Sequence, residues 1–342
     1  MASVPTTQKA LEVVQFGDPL KGTLKLNKEA PVPKPGDGQV LVEMKYACLN
    51  PADVFTVQGI YPGVKNVTEK KPGFVAGLEG SGKVVATGSG CSLKAGTRVV
   101  PLLGERAGSW QQYLVVSEKQ CIPVPDDVDD ATAAQLFVNP LTVVGMLDEI
   151  QQKAPVKDNP WIVQTAANST LGRMFIQLAR KRGLKTINVI RTSATKQELV
   201  QLGADEVVVV SEESELSKKI LQLTGGKGAA AVVDAVGGEI GTACCSSLAK
   251  GGLFQGYGLQ SGQPIQVSNS DLIFKDIVIR GFWLAIWFPK QPSSVVQEVF
   301  DMLRKKELVP HIQKIFALED YLEAFKAQFS PDRRGKILFK LT

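Results

Sequence analysis

The stretch Trp161–Arg191, WIVQTAANSTLGRMFIQLARKRGLKTINVIR, decides the fold. Its first five residues, which open with Trp-Ile-Val, are typical of a buried strand. Leu171 and Phe175 fall on one face of a helix predicted over 171–182, and a second strand is predicted over 185–190. A strand, a helix and a second strand in this order indicate a parallel βαβ unit.

The same alternation continues along the chain. Further strands are predicted at 206–210, 230–234 and 252–256, with helical segments between them. We expect Ser193 to cap one of these helices and Ser211 to open another, because serine is a preferred residue at a helix N-terminus. The sequence therefore predicts a doubly wound parallel sheet.

The upstream part of the chain has a different pattern. Short alternating or apolar runs at 40–46, 80–90 and 98–103 are separated by glycine and proline turns, which is typical of a small β-barrel or sandwich. A final strand, 336–341, has no parallel neighbour after it, so we expect it to return to the β domain. The predicted bounds are 1–127 plus 305–342 for the β domain and 128–304 for the inserted parallel domain.

Composition excludes several classes of chemistry. The 342 residues are 44% hydrophobic and 21% charged, as in an ordinary globular protein of two domains. A single histidine excludes a three-histidine zinc site and an HExxH motif, and a Ser-His-Asp triad would have to use His311. Five cysteines without a CxxC motif favour a reducing compartment.

Charge and hydropathy give no sign of a nucleic-acid partner or a membrane span. The net charge is only +5, and basic residues are not interleaved with aromatic ones. The densest basic cluster, 180–182, is either a solvated helix face or a patch for an anionic partner. No apolar stretch reaches transmembrane length, and the start of the chain has no signal-peptide pattern.

The turn Ala166–Gly172 is the first candidate site. It lies between a predicted strand and a predicted helix, where backbone N–H groups at a helix N-terminus can bind a dinucleotide pyrophosphate. Only Gly172 keeps a glycine of the G-x-G-x-x-G pattern, so an ordinary tight turn is the alternative. The candidate cofactor-binding residues here are Asn168, Ser169, Thr170, Leu171 and Gly172.

Arg191 is the second candidate. It follows the second strand, where an NAD site usually has an acidic residue for the ribose hydroxyls. A guanidinium can instead pair with a 2′-phosphate, which favours NADPH as the cofactor. An arginine that merely covers the edge of the sheet is the alternative.

The whole chain resembles the medium-chain dehydrogenase/reductase superfamily, and within it the 2-enoyl thioester reductases of mitochondrial-type fatty acid synthesis. This resemblance implies a GroES-like β-barrel catalytic domain with an inserted Rossmann domain, an α/β fold. The matching stretches are Asn50–Asp53, Gln58–Pro62, Gly77–Gly80, Gly108–Trp110, Val138–Thr142, Gln164–Gly172, Thr186–Arg191 and Leu272–Trp283.

The resemblance also implies site residues. Tyr61 matches the tyrosine that serves as active-site acid or substrate anchor, and a phenol can donate a proton or a hydrogen bond to a developing enolate. Asn50 is the second candidate catalytic residue, although with Asp53 it equally fits a helix cap. Trp110 and Trp283 are candidates for the substrate pocket. The further candidate cofactor-binding residues are Asn139, Tyr257, Phe282, Trp283 and Lys336.

Three of these assignments have open alternatives or departures. Phe282 and Trp283 lie in an apolar stretch that fits core packing or a dimer edge equally well. Leu78 stands where zinc alcohol dehydrogenases have the histidine of a Gly-His-Glu motif, and leucine cannot ligate a metal, so we expect no metal. Thr170 departs from the small residue usual at that position in the resembled reductases.

The resemblance, together with Arg191, implies an NADPH-dependent reductase of trans-2-enoyl thioesters. The alternatives are an NADPH:quinone oxidoreductase of the same fold and an NADPH-binding module without turnover. The resemblance implies as partners an enoyl-CoA or carrier-protein-bound substrate and a second copy in a homodimer. We expect the cytoplasm for a bacterial protein and a mitochondrial or other organelle matrix for a mature eukaryotic form.

Overall fold

The computed structural model describes residues 4–210, 213–330 and 333–342. Contacts divide the chain into two compact units, the first comprising residues up to Val138 together with Pro310–Thr342, and the second Asn139–Val309. The first segment of the first unit thus ends at residue 138, against 127 in the sequence analysis. The second unit ends at residue 309, against 304.

In the part of the first unit that the structure describes, ten strands form two sheets. They are β1 (Thr7–Val13), β2 (Leu24–Pro31), β3 (Gln39–Leu49), β4 (Phe74–Val75), β5 (Gly80–Thr87), β6 (Arg98–Pro101), β7 (Tyr113–Ser117), β8 (Cys121–Pro123), β15 (Ile312–Ala317) and β16 (Lys336–Lys340). One sheet has the order β2-β1-β4, and the other has the order β15-β16-β3-β5-β6-β8, with β7 paired to β3. The last strand, β16, pairs antiparallel with β3, so it lies in the β domain, to which the sequence analysis expects it to return.

Four short helices accompany these sheets. They are α1 (Pro51–Val57), α2 (Lys65–Thr68), α3 (Asp130–Ala133) and α12 (Tyr321–Phe329). α1 follows directly after β3, and its start has Asn50 at the N-cap and proline at the first helical position, where no N–H is needed. Trp110 and Phe325 pack in the core of this unit, with ring centroids 5.7 Å apart.

The second unit contains a six-stranded parallel sheet. Its strands are β9 (Trp161–Gln164), β10 (Lys185–Ile190), β11 (Glu206–Val209), β12 (Ala229–Asp234), β13 (Leu248–Gly256) and β14 (Val278–Gly281). The order β11-β10-β9-β12-β13-β14 is that of a dinucleotide-binding Rossmann sheet, and the connections reverse direction between β9 and β12. The predicted fold class is confirmed.

Helices connect these strands. They are α4 (Val138–Lys153), α5 (Thr170–Lys181), α6 (Lys196–Leu202), α7 (Glu213–Leu223), α8 (Gly238–Ser246), α9 (Asn269–Lys275), α10 (Leu284–Trp287) and α11 (Ser294–Arg304). The predicted cap at Ser193 is wrong, because this residue begins a single 3₁₀ turn and α6 starts after Thr195. Ser211, where another helix is predicted to open, lies outside the described residues.

No helix among the residues that the structure describes combines the length and the apolar character needed to cross a bilayer.

Candidate functional site

The turn between β9 and α5 has the geometry of an anion-binding helix start. Ser169 is the N-cap of α5, and its Oγ accepts a hydrogen bond from the N–H of Gly172 at 3.0 Å. Ala166 has a φ of 50°, a left-handed conformation that is uncommon for a residue with a side chain and lets the turn close tightly. Asn168 and Ser169 are half-buried, and the carbonyl oxygen of Asn168 accepts from Arg173 Nε at 3.2 Å.

Gly172 lets α5 approach the turn closely. A Cβ on this residue would lie 2.6 Å from the carbonyl oxygen of Ala167 and 2.7 Å from its Cα. Leu171 and Thr170 beside it are buried. Thr170 Oγ1 is buried and has no hydrogen-bond partner among the described residues. Because buried hydroxyls are normally hydrogen-bonded, this one is a candidate to bond a ligand at the start of α5.

Arg191 directly follows β10, the strand beside β9 in the sheet, and it is exposed. Its guanidinium is therefore accessible at the carboxyl edge of the sheet, next to the strand that leads into the turn. This is the position at which a dinucleotide's adenosine ribose lies in a Rossmann domain.

The crevice between β9 and β12 contains a buried polar pair that the sequence analysis missed. Thr165 Oγ1 donates to Asp234 Oδ1 at 2.6 Å, and the other carboxylate oxygen accepts from Gly237 N at 2.8 Å. Tyr257 N donates to the carbonyl oxygen of Asp234 at 2.8 Å. Burial, and next the charge of Asp234, raise the pKa of the Tyr257 hydroxyl above its usual value. In the sequence, this pair is indicated only by Asp234, which ends the otherwise apolar β12.

Phe282 and Trp283 line a cavity of about 470 Å³ within the second unit. Phe282 N donates to the carbonyl oxygen of Gly256 at 2.9 Å, which places these rings just beyond the carboxyl ends of β13 and β14. A Cβ on Gly145 of α4 would lie 2.5 Å from the Phe282 ring, so this glycine lets the ring pack against the helix. Asn139, half-buried, is the second residue of α4.

In the first unit, four buried polar side chains form a cluster around the start of α1. Its members are Asn50, Asp53, Glu79 and Lys336, each at most 2% exposed. Lys336 Nζ lies 3.1 Å from Glu79 Oε1 and also donates to Asn50 Oδ1. Asn50 Nδ2 donates to Glu79 Oε1 at 3.1 Å, so both ends of the Asn50 amide are engaged inside the protein.

This cluster changes the protonation of its members. Burial raises the pKa of Asp53 to about 7, although the hydrogen bond from Asn50 N acts in the opposite direction. Burial by itself lowers the pKa of Lys336, but the combined effects of Glu79, Cys48 and Asp53 outweigh it and the net pKa lies above its usual value. Lys336 and Glu79 therefore form a charged pair beside an aspartate that takes up a proton near neutral pH.

Tyr61 lies beyond the other end of α1. It is half-buried and packs against the apolar cluster formed by Val64, Val67 and Ala107. α1 has seven residues, so at about 1.5 Å per residue its two ends lie roughly 10 Å apart. The structure thus separates Tyr61 from Asn50 by the length of this helix.

Trp110 has no exposed surface, contrary to the expectation of a pocket wall. Its Nε1 donates to the carbonyl oxygen of Cys48 at 2.9 Å, and its ring packs edge-on against Phe339. Trp110 therefore holds the end of β3 rather than lining an open pocket.

The predicted site residues are divided between the two units. Asn50, Tyr61, Trp110 and Lys336 lie in the first unit, and all the other candidates lie in the second. Leu78, at the position of the metal-binding histidine, is half-buried. Within the described part of the chain, no group of three or more histidine, cysteine or acidic side chains is placed to hold a metal ion.

Comparison with known proteins gives concordant matches for both units. Residues 36–126 match the alcohol dehydrogenase GroES-like domain, and residues 170–304 match the zinc-binding dehydrogenase family. The chain is 37% identical to the mitochondrial enoyl-acyl-carrier-protein reductase of Dictyostelium discoideum, over 90% of this chain and 88% of that protein. It is 36% identical to the protein of that name from Bos taurus, over 96% of this chain and 87% of that protein.

Among solved structures, the fold is similar to that of the quinone oxidoreductase from Pseudomonas syringae pv. Tomato DC3000. The TM-score is 0.85 and the sequence identity is 26%, with 98% of this chain and 100% of that chain covered.

Proposed function

We propose that this chain, which belongs to the enoyl-acyl-carrier-protein reductase family of medium-chain dehydrogenases/reductases, reduces trans-2-enoyl thioesters with NADPH. The observation that carries the choice of reaction is the identity of 36–37% to reductases of that name across both units. The identity to the similar quinone oxidoreductase is lower, at 26%.

The turn at the start of α5 supports NADPH as the cofactor. Ser169 and Gly172 shape a helix N-terminus at the point where the sheet reverses direction, and this arrangement suits a pyrophosphate. The unbonded Thr170 Oγ1 provides a hydroxyl at the same turn. The exposed Arg191 after β10 would pair with a 2′-phosphate in this assignment.

When bound, NADPH supplies the hydride that adds to the β-carbon of the thioester. Tyr61 then has two tasks that a phenol can perform, namely to hydrogen-bond the enolate oxygen and to help protonate the α-carbon, directly or through water. The apolar cluster of Val64, Val67 and Ala107 packs against Tyr61 and supports its position.

The test is NADPH oxidation measured side by side with crotonyl-CoA and with a benzoquinone. We expect turnover with crotonyl-CoA, and a strong decrease in kcat for Tyr61→Phe with nearly unchanged NADPH affinity. Turnover with the quinone alone would support the quinone oxidoreductase, which the similar Pseudomonas structure makes the second candidate. NADPH binding without oxidation by any acceptor would indicate a non-catalytic module.

We also propose a homodimer that uses the edge of the second unit's sheet. β14 is the edge strand, and its Val278 is 51% exposed. The neighbouring Phe274 is 76% exposed. An exposed apolar edge strand favours pairing with a second copy about a two-fold axis. Light scattering coupled to size exclusion tests this, and a monomer at micromolar concentration would contradict it.

The names of the relatives bear on the substrate carrier and on the compartment. They favour a thioester carried on an acyl carrier protein, with enoyl-CoA as the soluble analogue. The word mitochondrial in the same names favours the organelle matrix. Comparing kcat/KM for the same acyl chain on both carriers tests the first point.

A further inference from the structure

We propose that Glu79 is a positioning residue that holds Tyr61 in place for its role as acid. The proposal rests on the proposed function, in which Tyr61 acts on the enolate. Glu79 acts on Tyr61 indirectly. One route is helix α1, and the other is Leu78, the residue next to Glu79.

The Glu79 carboxylate joins parts of the chain that are far apart in sequence. Its Oε1 accepts from Asn50 Nδ2 and pairs with Lys336 Nζ, each at 3.1 Å. Its Oε2 accepts from Val138 N at 2.8 Å, and its own carbonyl oxygen accepts from Cys48 N at 3.1 Å. A side chain that is 1% exposed and has all these partners has little freedom to move.

The charges around this carboxylate are nearly balanced. The facing titratable groups are the Lys336 ammonium, the Asp53 carboxyl and the Cys48 thiol. Burial, and next the charge of Glu79, raise the pKa of the thiol well above its usual value, so it stays neutral. Because a lone buried charge is strongly unfavourable, loss of the Glu79 charge alone leaves Lys336 unpaired and disturbs the groups around it.

The first route to Tyr61 is α1. Asn50 is the N-cap of this helix, so its bonds to Glu79 and Lys336 fix where the helix begins. At the other end, the N–H groups of Ile60 and Tyr61 both donate to the carbonyl oxygen of Phe55, at 3.0 and 3.2 Å. A shift of the helix start therefore moves the backbone of Tyr61.

The second route is Leu78, the residue next to Glu79. Leu78 and Tyr61 both pack against the cluster of Val64, Val67 and Ala107. The local backbone is tightly held, because a Cβ on Gly77 would lie 2.2 Å from Ser109 Oγ. Fixing Glu79 in this bend between β4 and β5 therefore fixes Leu78 among the side chains that support the tyrosine.

The test is a double-mutant cycle between Glu79→Gln and Tyr61→Phe with crotonyl-CoA. We expect Glu79→Gln to lower kcat about tenfold when Tyr61 is present and less than about twofold in the Tyr61→Phe background. The NADPH dissociation constant should change less than about twofold in both. An equal loss in the two backgrounds, or no loss in either, would overturn the proposal.

A second variant covers the case in which Glu79→Gln does not fold. Asn50→Ala removes the link to α1 but leaves the Glu79–Lys336 pair intact, and it should show the same dependence on Tyr61. The matched control is Glu43→Gln, since Glu43 pairs with Lys45 at 2.8 Å on β3, away from α1. The control should leave kcat unchanged.

Hydrogen exchange separates this proposal from the proposed function. In the protein without cofactor or substrate, peptides covering residues 58–64 should exchange faster in Glu79→Gln or Asn50→Ala than in the wild type or Glu43→Gln. Unchanged exchange would overturn the positioning role, whichever acceptor the enzyme reduces. Failure to reduce crotonyl-CoA together with faster exchange would refute the proposed function and support the positioning.

Discussion

Replacing Asp53 with asparagine should make the stability of the first unit less dependent on pH. Asp53 has an ordinary pKa of 3.8, and burial raises the pKa to about 7 in the folded protein. Between these values the folded state keeps a proton that the unfolded chain has released. Stability therefore falls as pH rises through this interval, and above pH 7 the effect is constant because both states are ionised.

The size of the effect follows from that interval. One extra proton bound by the folded state costs about 1.4 kcal/mol per pH unit, so the wild type should lose about 2 kcal/mol between pH 5 and pH 7 through Asp53 alone. Asparagine cannot ionise, and its side-chain oxygen can still accept from Asn50 N. Relative to the wild type, the unfolding free energy of Asp53→Asn should therefore be about 2 kcal/mol higher at pH 7 than at pH 5.

Urea unfolding at several pH values measures this difference. Of the four tryptophans, Trp110 alone lies in the first unit, so its fluorescence reports the unfolding of that unit once the three tryptophans of the second unit are replaced by phenylalanine. Asp158→Asn replaces an exposed aspartate and should run parallel to the wild type. The same pH dependence in Asp53→Asn and wild type would refute the assignment of a raised pKa to Asp53.

Three further predictions concern the second unit and the metal question. Gly172→Ala should destabilise the protein by about 1–3 kcal/mol in urea unfolding, because the new Cβ meets the Ala167 backbone. The control Gly256→Ala should cost less, since its Cβ would lie 3.7 Å from the Phe254 ring, an ordinary contact. Arg191→Gln should raise the KM for NADPH about tenfold or more and leave that for NADH unchanged, since a lost charged hydrogen bond costs about 1.5–3 kcal/mol; equal effects on both cofactors would exclude a 2′-phosphate contact. Turnover should survive dialysis against a chelator, because Leu78 offers no metal ligand, and its loss would contradict metal-free catalysis.

The regular parts of the fold are predictable from sequence because they depend on local patterns. The strand predicted over 185–190 is observed as β10, since a short segment rich in β-branched residues between two helical segments has few alternatives. β14 is missed because its four residues are mostly exposed, and an edge strand of this kind lacks the apolar run of a central strand.

The site is less predictable because its contacts are not local. Lys336 is expected to bind cofactor, yet the structure buries it against Glu79, which is more than 250 residues away in sequence. Trp110 is expected to line a pocket, but an indole with its N–H bonded to a buried carbonyl is equally suited to the core. Burial and side-chain partners of this kind depend on the tertiary arrangement, which residue type and spacing do not encode.

The pairing of β16 with β3 also imposes an order on protein synthesis. Leu49 pairs with Ile337, and the whole second unit is translated between them. At about 5–20 residues per second, β3 waits about 15–60 s for this neighbour. Until then, the ribosome-bound chain has a β3 edge without its final strand and a Glu79 carboxylate without its lysine. The first unit therefore completes its folding after the second has been made, and the nascent chain is most open to aggregation or chaperone capture during that wait.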